Sequence, residues 1–171
     1  MLRRAALLAC CMLLGAIDSR AVADKHASTP IKNPGLERFK QLAGEWVGKE
    51  GEKGPDVRVT YRVTANGNAV METIAPGTGH EMVTLIHPDG DALVLTHYCI
   101  LGNQPHMKAT LDGNTYKFDF VSGTNMKSAN DMHMHSAAYT FVDDDTLHTT
   151  WTMYQDGKKT HTAVFDLKRK K

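Results

Sequence analysis

From residue 57 to residue 167 this chain alternates apolar and polar residues with a period of two, and turn-forming clusters break the alternation at short intervals. Val57, Val59, Tyr61 and Val63 alternate with Arg58, Thr60, Arg62 and Thr64, and Asn66-Gly67-Asn68 follows. A period of two puts one face of an extended strand into a core and the other into water. Gly and Asn accept the positive φ that tight connections require, so the cluster reads as a hairpin turn. The same logic, with a first strand opened by Trp46, predicts strands over 57–64, 69–74, 80–87, 92–99, 106–111, 115–121, 132–142, 146–154 and 158–167. Pro88-Asp89-Gly90-Asp91, Asp112-Gly113-Asn114, Asp143-Asp144-Asp145 and Gln155-Asp156-Gly157 supply turns, and 75–79 and 122–131 supply loops. Ten short strands joined to their sequence neighbours form a meander, and a meander of that length removes its unpaired edges by closing. The expected fold class is all-β: a ten-stranded up-and-down antiparallel β-barrel with one short N-terminal helix. A two-sheet sandwich is the alternative, but its crossovers need longer connections than most of these.

The helix is expected just before the strands. After Pro34, Leu36, Phe39 and Leu42 recur at helical spacing, with Glu37, Arg38, Lys40 and Gln41 on the other face and Gly44 as the stop. Further upstream, Arg3 and Arg4 precede an apolar run over 5–17, and Ala21-Val22-Ala23 has the small-x-small pattern of a cleavage site. The run is shorter than the ~20 residues that span a bilayer. The expected organisation is therefore a signal peptide at 1–23, a flexible leader at 24–33 and a barrel domain at 34–171, with export to the periplasm or the medium. Cleavage after Ala23 removes Cys10 and Cys11, so Cys99 has no intrachain disulfide partner. It also removes three of the 20 basic and one of the 19 acidic residues, leaving 17 against 18. A charge this close to neutral argues against nucleic acid as a partner. The basic end Lys168-Arg169-Lys170-Lys171 reads as solvated.

The stretch Leu42-Ala43-Gly44-Glu45-Trp46-Val47-Gly48-Lys49-Glu50-Gly51, with a helix before it and strands after it, resembles the Gly-x-Trp opening of the calycin superfamily, which includes lipocalins, fatty-acid-binding proteins and nitrobindins. Gly48 and Gly51 look most similar to nitrobindin-like domains and to uncharacterised bacterial secreted members. The resemblance implies a ten-stranded barrel with Trp46 packed against its closed end. Nitrobindins bind haem through a histidine near the C-terminal strand, and His161 occupies the comparable region here. For the bacterial members the resemblance carries no activity.

Alternation brings the chemistry-bearing residues to one side of the wall. Leu93, Leu95, His97 and Cys99 share a face, as do His133, His135, Ala137, Tyr139 and Phe141. The expected ligand contacts are Glu72, His97, Cys99, Tyr139 and Trp151. His97, His133 and His135 would converge inside the barrel, and three imidazoles suit a transition metal with an open position. Two plainer readings stand beside this one. Met132 and Met134 would turn inward with both histidines wet, or buried histidines would simply be hydrogen-bonded. Glu72 is either a solvated edge residue, the reading the sequence favours, or an interior acid with a raised pKa. Cys99 is a reactive thiol or a small core residue. Asn103, Gln104 and His106 would orient a ligand at a barrel mouth or serve as ordinary turn residues, and Met71, Met82, Met107, Met126, Met132, Met134 and Met153 would supply adaptable packing. No nucleophile elbow, phosphate-binding glycine loop or serine triad motif is present. The leading expectation is an exported barrel that binds a small apolar or haem-like molecule, with the question of catalysis left open. A metal-dependent enzyme using the three histidines and a structural or partner-binding barrel without a ligand are the alternatives.

Overall fold

A computed structural model of the chain describes residues 31–171; the expected signal peptide and most of the leader fall outside the described residues. One helix, α1 (Pro34–Lys40), precedes ten strands: β1 (Gly44–Glu50), β2 (Asp56–Thr64), β3 (Ala69–Ile74), β4 (Met82–Asp89), β5 (Ala92–Tyr98), β6 (Gln104–Asp112), β7 (Thr115–Thr124), β8 (His133–Asp143), β9 (Thr146–Gln155) and β10 (Lys158–Arg169). Each strand pairs antiparallel with its sequence neighbours, and β1 closes the ring on β10. This is the expected meander barrel. No helix among the described residues is long and apolar enough to cross a membrane.

The seam between β1 and β10 depends on glycine. Gly48 faces Leu167, and a Cβ at Gly48 would lie 2.0 Å from the Asp166 carbonyl oxygen, a distance no side chain survives. Two boundaries differ from the sequence reading for a visible reason. β4 begins at Met82 instead of residue 80, because Gly77 N–H bonds the Glu81 carboxylate and His80 N–H bonds Thr78 Oγ1, which holds those residues in the loop. The same strand continues through Pro88 to Asp89, because the turn shrinks to Gly90 and Asp91, with Gly90 at φ 59°.

The two ends of the barrel are built differently. At one end the connections are tight, spanning residues 65–68, 90–91, 113–114 and 144–145, and α1 covers them. Asn33 caps the helix by accepting from Leu36 N–H at 3.1 Å, while its amide donates to the carbonyls of Gly90, Asp91 and Ala92. Phe39 points from α1 into the barrel, fully buried, and meets Tyr116, Phe118, Tyr139 and Phe141 edge-on at 5.1–5.9 Å. Trp46 is also fully buried and donates its indole N–H to the Leu42 carbonyl at 2.8 Å.

Arg169 corrects the reading of the C-terminus as a solvated tail. Its guanidinium lies 4.4 Å over the Trp46 ring and donates to the carbonyls of Gln41, Ala43 and Asp144. It also pairs with Asp145 at 3.3 Å, and its neighbours Lys170 and Lys171 form surface ion pairs with Glu45 and Asp145. At the opposite end the connections span 51–55, 75–81, 99–103, 125–132 and 156–157, and no described helix covers them.

Candidate functional site

A row of polar side chains crosses the barrel interior on four successive strands. Tyr61 on β2 faces Glu72 on β3, Glu72 faces Thr84 on β4, and Thr84 faces His97 on β5. Register therefore brings together residues as far apart in sequence as 61 and 97. The Tyr61 hydroxyl donates to Glu72 Oε1 at 2.7 Å, and the Tyr139 hydroxyl reaches across from β8 to donate to Oε2 at 2.9 Å. Glu72 is 1 % exposed, so the favoured reading of a solvated edge residue is overturned: Val70 and Ile74 flank it on the same buried face. Burial pushes its carboxyl above the usual range, while Tyr61, Tyr139 and Thr84 work against that by donating to the ionised form. The two tyrosines are pushed far up, first by burial and then by the adjacent carboxylate, and remain donors.

His97 ends this row. It is the penultimate residue of β5, 1 % exposed, with Nδ1 2.9 Å from Thr84 Oγ1. Its other nitrogen, Nε2, is buried and has no hydrogen-bond partner among the described residues. Burial lowers its pKa to about 4, so the ring is neutral at physiological pH. The Trp151 ring lies 4.6 Å away at 40°. Trp151 itself stands between Ala137 on β8 and Ala163 on β10, the small residues that leave room for the indole. Met107 is buried in the same core, and Met82 and Met134 pack against it.

Cys99 follows His97 on this face and is buried; desolvation pushes its thiol up, and backbone N–H groups of Leu101 and Ile100 only partly offset this. Such a thiol is a small core residue at neutral pH, not an activated nucleophile. Asn103 is buried in the connection just before β6 and donates to the Met132 carbonyl at 2.8 Å, tying two loops of the uncovered end together. Its Oδ1 is, with His97 Nε2, the second buried side-chain polar atom without a hydrogen-bond partner among the described residues. Gln104 and His106 lie beside it on β6, where Gln104 pairs with Thr124 and His106 with Thr96.

The expected convergence of His97, His133 and His135 does not form. Met134 pairs with Met153 and Ser136 with Thr152, so His135 is the extra residue of a β-bulge and the alternation slips there. Met134 thereby joins the core side, as one of the plainer readings held, although His133 is buried instead of wet. His133 Nδ1 lies 2.7 Å from the Asp131 carbonyl, and its Nε2 lies 3.1 Å from His135 Nδ1. Both rings pack on Phe120, and His135 stacks on Tyr154 at 4.0 Å. Among the described residues, no group of three or more His, Cys, Asp or Glu is arranged to hold a metal ion.

His161 faces Met153 beyond a bulge in β10, with its side chain 54 % exposed and 3.8 Å from Glu50. Its imidazole lies beside a carboxylate and is open to water, apart from the buried row of Tyr61, Glu72, Thr84 and His97.

Sequence reasoning missed Tyr61 and Thr84 as members of the interior row. Tyr61 was readable as inward-facing, but nothing local says that Glu72 lies directly opposite it. It also missed Phe120 and Tyr154, which come into play only through the bulge at His135.

No family model matches the chain, and no curated protein matches it. Among solved structures it is similar to that described as the crystal structure of Rv2717c from M. tuberculosis, with a TM-score of 0.52 and 16 % identity over 82 % of this chain and 100 % of that one. At that identity the likeness carries the fold, a ten-stranded antiparallel barrel compatible with a calycin-like architecture.

Proposed function

We propose that this protein is an exported barrel that binds a small, largely apolar molecule in the interior of its uncovered half, against Trp151 and His97. The observation that carries this reading is the buried, unpartnered Nε2 of His97. A buried polar atom without a partner costs about 1–3 kcal/mol, and native interiors rarely keep one without a use. Its surroundings fit a ligand. One flat indole, small alanines beside it and flexible methionine side chains make a lining that adapts to an apolar guest. The long connections lie at the same end, where loop motion admits a guest without disturbing the plugged end. Export rests on the charged, apolar and small-residue pattern of residues 1–23.

The test uses the purified protein with 13C-labelled methionine methyls and toluene as a donor-free apolar probe. Toluene is expected to shift the methyl resonances of Met82, Met107 and Met134 saturably and at one-to-one stoichiometry. No shift up to the solubility limit of toluene would remove the proposal.

A further inference from the structure

We infer that Asn103 is a polar contact of the barrel interior, and that its Oδ1 selects a neutral molecule whose polar end is an O–H or N–H donor held at the mouth of the uncovered half. This rests on the binding site proposed above and names the ligand class that site takes.

Hydrogen-bond geometry alone distinguishes the two ends of the Asn103 amide. The Met132 backbone carbonyl can only accept, so the side-chain atom 2.8 Å from it is the NH2 group. The other end is therefore the oxygen Oδ1, which has lone pairs and no proton. It is buried without a hydrogen-bond partner among the described residues, and Asn103 as a whole is 5 % exposed. An acceptor in that position is completed by a donor. Ethers, ketones and carboxylates carry none, so they do not complete it.

Register places this side chain on the interior face. Leu95 faces Met107 and Thr96 faces His106 across β5 and β6, and Cys99 N–H bonds the Asn103 carbonyl at 3.2 Å, which sets Asn103 opposite Cys99. Asn103 thus shares the inner face with Met107 and lies diagonally from His97, one step nearer the mouth. His97 Nε2 and Asn103 Oδ1 do not bond to each other, since each lacks a partner. A guest lying against the Trp151 ring, which flanks His97, brings its outer end to Asn103. The bond to Met132 holds the amide from its other side, so Oδ1 is oriented before a ligand arrives. Burial disfavours a charged group there. A small alcohol, phenol or N–H amide on an apolar body has all of these features.

Benzyl alcohol and benzyl methyl ether share a ring and an oxygen and differ in the donor. In wild-type protein labelled with 13Cγ-asparagine, benzyl alcohol is expected to move the Asn103 Cγ resonance downfield, as a carbonyl does when it gains a donor, and benzyl methyl ether and toluene to move it far less. By calorimetry, the preference for the alcohol over the ether is expected to fall about tenfold in Asn103→Leu, the worth of one hydrogen bond. A ratio of two ligands cancels any general loosening of the mouth, which affects both. Equal Cγ shifts with alcohol and ether, or none with the alcohol, overturn the inference even if Asn103→Leu does not fold. An alcohol preference that is equal in wild type and Asn103→Leu overturns it too. If toluene shifts the methionine methyls and these results fail, the binding site stands and its donor selectivity does not. If none of the three probes binds, both fall.

Discussion

The two ends of this barrel use the same ten strands for opposite purposes. At the helix end every connection is short, Phe39 and Trp46 are sealed among aromatic rings, and Arg169 fastens the last strand over the first. Its polar groups there are matched: the Trp46 indole, the Asn33 cap and the Arg169 guanidinium all bond to backbone carbonyls. At the loop end most connections lengthen, and the two buried side-chain polar atoms without a partner among the described residues, His97 Nε2 and Asn103 Oδ1, are found on or beside the strand ends. Matched polar groups mark the one end, and the unmatched ones among the described residues mark the other. The row from Tyr61 to His97 marks the border between the two.

The largest effect is expected at the sealed end. Phe39→Ala removes a fully buried ring that touches four others and is expected to cost about 3–5 kcal/mol in urea unfolding, with toluene shifts at the methionine methyls retained. A loss under about 1 kcal/mol would mean that the helix end is not the main source of stability.

Next comes pH, where the border row has two opposing contributions. His97 has a folded pKa of about 4, below its ordinary 6.5, so the unfolded chain binds more protons between these values. Stability is then full above pH 6.5 and falls by about 3 kcal/mol as pH drops through 6.5 towards 4. Glu72 acts in the opposite sense. Its raised pKa means that its contribution is present below 4.5 and is lost as pH rises through the folded value. His97→Phe is expected to flatten the acid side of the stability profile, and Glu72→Gln to remove the decline on the other side. Unchanged profiles in both variants would show that neither group is held as the row requires.

A smaller effect is expected at the seam. Arg169→Gln loses the cation over Trp46 and most of the carbonyl bonds, about 1–2 kcal/mol, read as a lower urea midpoint. The corresponding change in the adjacent Lys170→Gln, an exposed ion pair, is expected to be within about 0.5 kcal/mol.

Smallest is the loop end itself. Two glycines added within 125–132 lengthen a connection that is already long and should cost no more than about 0.6 kcal/mol. The same insertion between Gly113 and Asn114 enlarges a two-residue turn that sets the β6–β7 register and should cost clearly more.

The fold was almost fully legible because period-two alternation and turn residues are local signals. The ten strands lie close to their expected positions, and Gly48, marked by its place after Trp46, proved to be where two strands touch. The candidate site was legible only in part. His97, Trp151 and Tyr139 could be placed inside by parity alone, and they are inside. Glu72 was misread because a lone carboxylate on a strand says nothing of the two tyrosines that satisfy it, one of them 67 residues away. The three-histidine arrangement failed because a single bulged residue, His135, shifts everything before it by one position, and a bulge leaves no mark in the hydrophobic pattern. Arg169 was hidden in a basic tail whose composition suggested solvent.

The most direct test of the contrast between the two ends is xenon, which occupies apolar space without needing a hydrogen bond. In crystals pressurised with xenon, the gas is expected beside Trp151 and His97 in the loop-end half, with none among Phe39, Trp46 and Tyr116. Xenon among the helix-end aromatics, or none inside the barrel at all, would contradict the account.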